Sequence, residues 1–312
     1  MRYITTIFIL IATVFNCQSQ ILDLDFGDNG IVILDKYDTP GFEVISVLDE
    51  SGKMLLAGIP NPSFMNSKVF ITKLNVDGSL DIDFGVDGYA EYDLGQGFVS
   101  MSDFIQLDNG NLIVSGTSFQ DGWLIMFDAQ GDLVADFGDN GFFDTQKSAD
   151  VNRMMISQVN DRIFCLHKDL ISGSSYLATS YYNMDGTYDT SYGNNGTVVY
   201  SELQFNALND VEWDYSSNGD FKGVYFYGSA PNGEAGSFVS YVSAEGVLSE
   251  SFADEGYYRL SGLDFIYDMA IDFNNDLLLT GRNGGNYVIQ KLDSQGDFVT
   301  GFGIDGSYSD TW

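Results

Sequence analysis

The chain has 312 residues, 44% of them hydrophobic, with 35 glycines, 24 phenylalanines, 19 tyrosines and only 4 prolines. Hydrophobicity at that level excludes an intrinsically disordered chain. A formal net charge of −32 excludes nucleic-acid binding and electrostatic attachment to anionic membrane, because so negative a field repels both.

The first element is a leader. Arg2 supplies a short basic start, and Ile4 to Phe15 is an apolar run broken only by threonines. That run suits a secretory signal and is too short to span a bilayer. Residues 1–19 are therefore expected to be a signal peptide, cut before Gln20 with Cys17 and Ser19 as the small residues flanking the cleavage site. The alternative is a lipoprotein anchored through Cys17, for which Asn16 is a poor preceding residue. Either way the protein is exported: secreted, at the cell surface or in the periplasm. After cleavage only Cys165 remains, so no intramolecular disulfide is expected. No later apolar run approaches the ~20 residues of a transmembrane helix.

Residues 20–312 read as one domain built by repetition. Leu22-Asp-Leu-Asp-Phe-Gly-Asp-Asn-Gly30 returns at Leu80 to Gly88 and at Leu133 to Gly141, with blurred copies at Tyr188 to Gly196, Leu248 to Gly256 and Phe298 to Gly306. Its aromatic falls at Phe26, Phe84, Phe137, Tyr192, Phe252 and Phe302, a step of 50 to 60 residues. Between copies the grammar is constant. The first interval has apolar runs at 44–48, 54–58 and 69–74, with turns at Asp49 to Gly52 and Asn75 to Gly78. Short apolar runs bounded by Asp/Asn-Gly turns are hairpin signals. Counting the run after each Phe-Gly motif gives four strands per repeat, and nothing after residue 20 reads as a long helix. Four antiparallel strands at a period near 50 define a β-propeller blade. The expected fold is all-β, five four-stranded blades in a ring closed by a strand from one terminus; an open β-repeat solenoid is the runner-up. A monomer is expected.

An Asp-Gly turn followed by Leu-Asp-x-x-Phe-Gly-x-x-Gly, about 20 residues ahead of a strand–Asn-Gly–strand unit ending in Gly, resembles the delta-60 repeat family. The likeness covers nearly all of the chain after the leader. It departs from the pattern at Tyr192, at Ala253 and at His167, which stands where Gly58, Gly116, Gly228 and Gly281 end the second strand. The resemblance implies an exported bacterial β-propeller and lends no general activity. Within each motif the aromatic is expected to anchor neighbouring blades, the glycines to supply positive φ, and the leading Asp to accept hydrogen bonds from the turn.

Several constellations could carry chemistry. Cys165 and His167 alternate on one strand and so share a face, but no third residue orients them as a nucleophile–base pair requires; a packed Cys and an edge His are expected. With one histidine, neither a Ser-His-Asp triad nor a zinc site is expected. Asp23/Asp25, Asp81/Asp83, Asp28 to Gly30 and Asp185-Gly186 place oxygen ligands in tight turns, yet none has calcium-loop spacing; no cofactor is expected beyond weak calcium binding. The sharpest candidate is a ring at one mouth of the central channel: Glu43, Asp103, Asp210 and Asp268, with Arg153 in the third repeat. Clustered carboxylates raise one another's pKa and can hold a cation or act as acid and base; the plain alternative is that each serves its own blade. Loops after the second strand, carrying Phe64 and Phe119, vary from repeat to repeat, which is how a rigid scaffold acquires a binding face. The expected function is a non-catalytic binding module for extracellular glycan or protein. A structural repeat protein and a carboxylate-dependent polysaccharide hydrolase are the alternatives.

Overall fold

The computed structural model describes residues 23–37, 44–60, 67–95, 99–118, 121–148, 154–171, 174–204, 207–229, 237–253, 256–259 and 264–311. The expected signal peptide, with Cys17, lies outside them, as do Phe64 and Phe119.

Alternating apolar residues between Asp-Gly turns fold, as expected, into consecutive antiparallel strands. The first sheet is β1 (Val44–Leu48), β2 (Met54–Gly58), β3 (Ser67–Leu74) and β4 (Tyr89–Gly95); the second is β5 (Val99–Gln106), β6 (Leu112–Ser118), β7 (Asp121–Phe127) and β8 (Phe142–Ser148). The third is β9 (Met155–Val159), β10 (Arg162–Ile171), β11 (Ser174–Asn183) and β12 (Thr197–Gln204); the fourth is β13 (Ala207–Tyr215), β14 (Phe221–Ser229), β15 (Ser237–Ser243) and β16 (Tyr257–Arg259). The fifth is β17 (Phe265–Ile271), β18 (Leu277–Asn283), β19 (Asn286–Leu292) and β20 (Ser307–Thr311). This is the all-β propeller-blade class. Each sheet is built from four consecutive strands, so among the described residues no strand from the far terminus completes a sheet, and the expected closing strand is not found.

The first strands of the sheets are neighbours in series, β1 on β5, β5 on β9, β9 on β13 and β13 on β17. Four hydrophobic clusters join successive sheets face to face. Leu55, Ala57 and Ile71 of the first sheet meet Phe104, Val114 and Trp123 of the second. Ile113 and Leu124 meet Ile156 and Cys165; Phe164, Leu166 and Tyr181 meet Phe226 and Phe238; Tyr225, Tyr227 and Val239 meet Met269 and Leu279. Each sheet thus offers one face forward and the opposite face back.

The Phe-Gly motif ties this stack at its rim. The N–H of Gly85 donates to Gln130 O at 2.7 Å in the next sheet, and the N–H of Gly138 donates to Asp185 O at 2.8 Å. Ala253 repeats the contact on Gln295 O at 2.6 Å, and Gly27 makes it on Asp77 O at 2.7 Å. The position is held at φ of +58° in Gly85, where a Cβ would lie 2.2 Å from Tyr89 O, so the turn admits glycine for both reasons. Phe84, Phe137, Tyr192 and Phe252 are buried as the expected anchors, while Phe26 and Phe302 at the two ends are half-buried. The leading Asp accepts from its turn as expected: Asp189 Oδ1 takes the N–H of Ser191 at 3.0 Å and its hydroxyl at 2.6 Å.

Candidate functional site

Three of the five first strands carry a register shift, after Met101, Leu208 and Ile266. The residues that follow, Asp103, Asp210 and Asp268, therefore fall at one level, opposite Ser115, Tyr227 and Thr280. Glu43 and Arg153, the other two members of the expected ring, lie outside the described residues. Pairing register puts Ile45, opposite Ala57, and Met155, opposite Leu166, at the matching level in the first and third sheets. Each aspartate accepts the N–H of the residue after it: Phe104 at 2.8 Å, Val211 at 2.9 Å and Met269 at 2.8 Å. Asp103 Oδ2 also accepts the N–H of Ile156 on the next sheet at 3.0 Å. These carboxylates hold the bulge, and Asp103 pins one blade to the next.

Glu212 is the residue that reading the sequence missed. It follows Asp210 by two on β13, so both side chains share a face. Its carboxylate accepts the N–H of Ile271 on β17 at 3.4 Å. Burial pushes its carboxyl above the usual range, and the negative charges of Asp268 and Asp210 push it the same way. The signal was a break in a column. Residues matched by pairing are Val47, Ile105, Ser157, Glu212 and Ala270, so one repeat carries an acid where the others carry small or apolar side chains. A half-buried, more readily protonated carboxyl near the half-buried Asp210 and the exposed Asp268 is an acid–base arrangement.

A cleft of about 620 Å³ opens at the other end of β5, β9 and β13. Its polar wall is pre-ordered: the Asp108 N–H donates to Gln158 Oε1 at 2.8 Å, and Gln158 Nε2 donates to Asp108 Oδ2 at 3.2 Å. Opposite stand Tyr215, whose hydroxyl is 2.5 Å from Ser157 Oγ, and Phe221, ring centres 5.6 Å apart. Among the described residues, no lysine, arginine or histidine lines it. An aromatic wall facing carboxamides and acids suits an uncharged, hydroxyl-bearing ligand better than an anion. Glu212 stands three residues up β13 from Tyr215, about 10 Å at the rise of a strand.

The remaining candidates serve the fold. His167, expected at an edge, is buried although it lies where β10 has run past the last residue paired with β9 and pairs with β11 alone. Its Nε2 meets Ser180 Oγ at 2.9 Å and its Nδ1 meets Lys168 O at 3.0 Å. Burial pushes the Cys165 thiol well up, away from the thiolate that nucleophilic chemistry needs. The Asp turns satisfy themselves: Asp185 Oδ1 accepts from Thr187 N at 2.9 Å and Oγ1 at 2.6 Å, while Asp81 pairs with Lys53 at 2.8 Å. Among the described residues, no group of three or more His, Cys, Asp or Glu is placed to hold a metal ion, and no helix is long and apolar enough to cross a membrane.

No protein-family model matches the chain, and no curated protein sequence matches it. Solved structures do. Two point mutants of Synechocystis apocarotenoid oxygenase align with TM-scores of 0.51 and 0.52 at 10% identity, over 82% of this chain and 59% of theirs. The chain thus spans well under two thirds of the oxygenase. A catalytically inactive virginiamycin B lyase from Staphylococcus aureus aligns at 0.47 and 10% identity, over 90% of this chain and 73% of that one. Identities this low speak for the fold alone. The oxygenase likeness nonetheless corrects the expectation of a non-catalytic binding module: the propeller-like fold found here is one that an enzyme also uses.

Proposed function

We propose that the chain is a carboxylate-dependent hydrolase of extracellular, uncharged polysaccharide, with Glu212 as proton donor and Asp210 or Asp268 as the second carboxyl group of the pair. The observation that carries this reading is the broken column: Glu212 is half-buried at a site where the other repeats bear Val47, Ile105, Ser157 and Ala270. A buried carboxyl costs desolvation, and a residue that serves only the blade would recur with the blade. Glycosidic cleavage calls for one carboxyl with a raised pKa and another that stays ionised. The cleft flanked by Tyr215 and Phe221 supplies a surface on which a sugar ring can stack. The resemblance to exported delta-60 repeat proteins and the leader at 1–19 support an extracellular substrate, and amino-terminal sequencing of the exported protein tests that cleavage.

The test is release of reducing ends from a panel of neutral polysaccharides by the full chain. Activity should fall by about 10²-fold or more in Glu212→Gln, the range general acid catalysis supplies. Its alkaline limb should lie above the ordinary carboxylate range. No release from any substrate, or full activity in Glu212→Gln, would sink the proposal.

A further inference from the structure

We infer that the hairpin turns of the first and second sheets enclose a second saccharide subsite, and that one neutral polysaccharide chain runs across it into the larger cleft. The inference rests on the reading that the larger cleft takes a sugar. The second cleft, of about 390 Å³, has Asp49, Glu50 and Ser51 on one side and Gln106, Leu107 and Asp108 on the other. Gln106 and Asp108 also line the larger cleft, so the two spaces share a wall.

Both clefts are built from the same parts, one repeat apart. Pairing puts Leu48, Gln106, Gln158, Trp213 and Ile271 at one level of the five first strands, opposite Met54, Leu112, Ile163, Val224 and Leu277. A carboxamide thus stands in the second and third sheets where the others carry large apolar side chains. Asp108 follows Gln106 by two and Glu50 follows Leu48 by two, so each glutamine meets an acid at the same place in the preceding turn. In the larger cleft that pair is closed: Gln158 Nε2 donates to Asp108 Oδ2 at 3.2 Å and to Asn160 O at 2.9 Å. In the second it is open. Among the described residues neither the Gln106 carboxamide nor the Glu50 carboxylate is engaged by a neighbour, which leaves donors and acceptors for a ligand's hydroxyls. Asp49 is occupied: its Oδ1 accepts the Ser51 N–H at 2.9 Å and hydroxyl at 2.6 Å, and its Oδ2 pairs with Lys73 at 2.9 Å. Leu107, 3% exposed, gives the cleft an apolar floor for the C–H face of a sugar. Among the described residues no lysine, arginine or histidine lines it, so it shares the larger cleft's bias against anions. A ligand of repeated units meeting a repeated contact accounts for a glutamine that recurs in two adjacent sheets and in no other.

The test is calorimetric titration of the full chain with cellohexaose, laminarihexaose, mannohexaose and xylohexaose, each beside its disaccharide. Glu212→Gln protein is used so that nothing is cut, with the parent assayed beside it for release of reducing ends. At least one hexasaccharide should bind about tenfold more tightly than its disaccharide, the worth of one hydrogen bond to a charged group. Glu50→Ala should remove most of that advantage and leave disaccharide affinity unchanged, because Glu50 lines the second cleft and not the first. Gln106→Leu, which installs the residue that Leu48 already places at this level, should also remove it. Equal affinity for hexasaccharide and disaccharide, or a preference that survives both substitutions, would overturn the second subsite and leave the hydrolase reading standing. Hexasaccharide preference lost in Glu50→Ala, with no reducing ends released by the parent, would support the subsite and sink the hydrolase. Binding of none of these saccharides would overturn the subsite.

Discussion

Replacing Ile71 by alanine in the first sheet and Ile289 by alanine in the fifth removes the same three carbons from the same place in the repeat. Ile71 is wholly buried in the cluster joining the first two sheets. Its loss should cost about 3–4 kcal/mol, transfer and cavity terms together. Ile289 is 37% exposed, so under two thirds of the transfer term remains, about 1.5 kcal/mol at ~0.8 kcal/mol per buried carbon. No closed cavity forms at a face open to water. The two variants should differ by about 2 kcal/mol in urea unfolding of dilute protein, with Leu124→Ala tracking Ile71→Ala. Equal costs at low concentration would mean that the fifth sheet's face is covered within a single chain, and the account of four interfaces in series would fail.

Ala253 sits at φ +53° where the other repeats have glycine, so Ala253→Gly should stabilise by about 0.5–1 kcal/mol. Gly85→Ala, with a Cβ 2.2 Å from Tyr89 O, should cost more than about 2 kcal/mol, and thermal melts of both variants check the pair. Because burial raises the Glu212 carboxyl in the folded chain, its contribution is present below the unfolded value and lost as pH rises through the folded one. Glu212→Gln should therefore melt higher than the parent at pH 8 and level with it at pH 4, even as activity is lost; a lower melting point at pH 8 would contradict the assignment. Burial alone would raise Glu91, but hydrogen bonds from Lys36, Tyr37 and Lys68 outweigh it and hold its carboxyl near about 2. The stability it gives is complete above the ordinary carboxylate range and fades as pH falls towards 2. Glu91→Gln at neutral pH should accordingly speed amide exchange in residues 23–37 about tenfold while leaving the core of β3 unchanged.

The blades were legible because repetition averages out local ambiguity. Turn after turn, an aspartate caps a glycine turn in the same way: Asp49 Oδ1 accepts from Ser51 and Lys53, Asp128 from Gln130 and Asp132, and Asp293 from Gln295 and Asp297. The glycine that ends most second strands also has a readable cause. A Cβ on Gly116 would lie 2.3 Å from Ser100 O, and one on Gly228 would lie 2.2 Å from Ala207 O. In the third sheet β9 pairs first at Met155 with Leu166. Among the described residues no first-strand backbone is paired opposite His167, and its ring is accommodated. The exception was visible in the sequence; its burial was not, because that depends on how far β10 extends.

What stayed hidden were the features that break register or depend on position in the array. Taking the residue that opens each first strand grouped Glu43 and Arg153 with three aspartates that pairing aligns with Ile45 and Met155, two residues further on. Glu212 was concealed because a second shift, between Asp214 and Tyr215, offsets it from a count made from the turn, and its column of small or apolar residues appears only once the strands are paired. Position is the second blind spot. Ile71 and Ile289 are the same residue in the same place of the repeat, and only the stacking order makes one core and the other surface. Both failures point the same way. In a repeat protein a residue that recurs is explained by the blade, as the capping aspartates are. Chemistry is to be sought where one repeat pays desolvation that its equivalents avoid, and Glu212 is such a place.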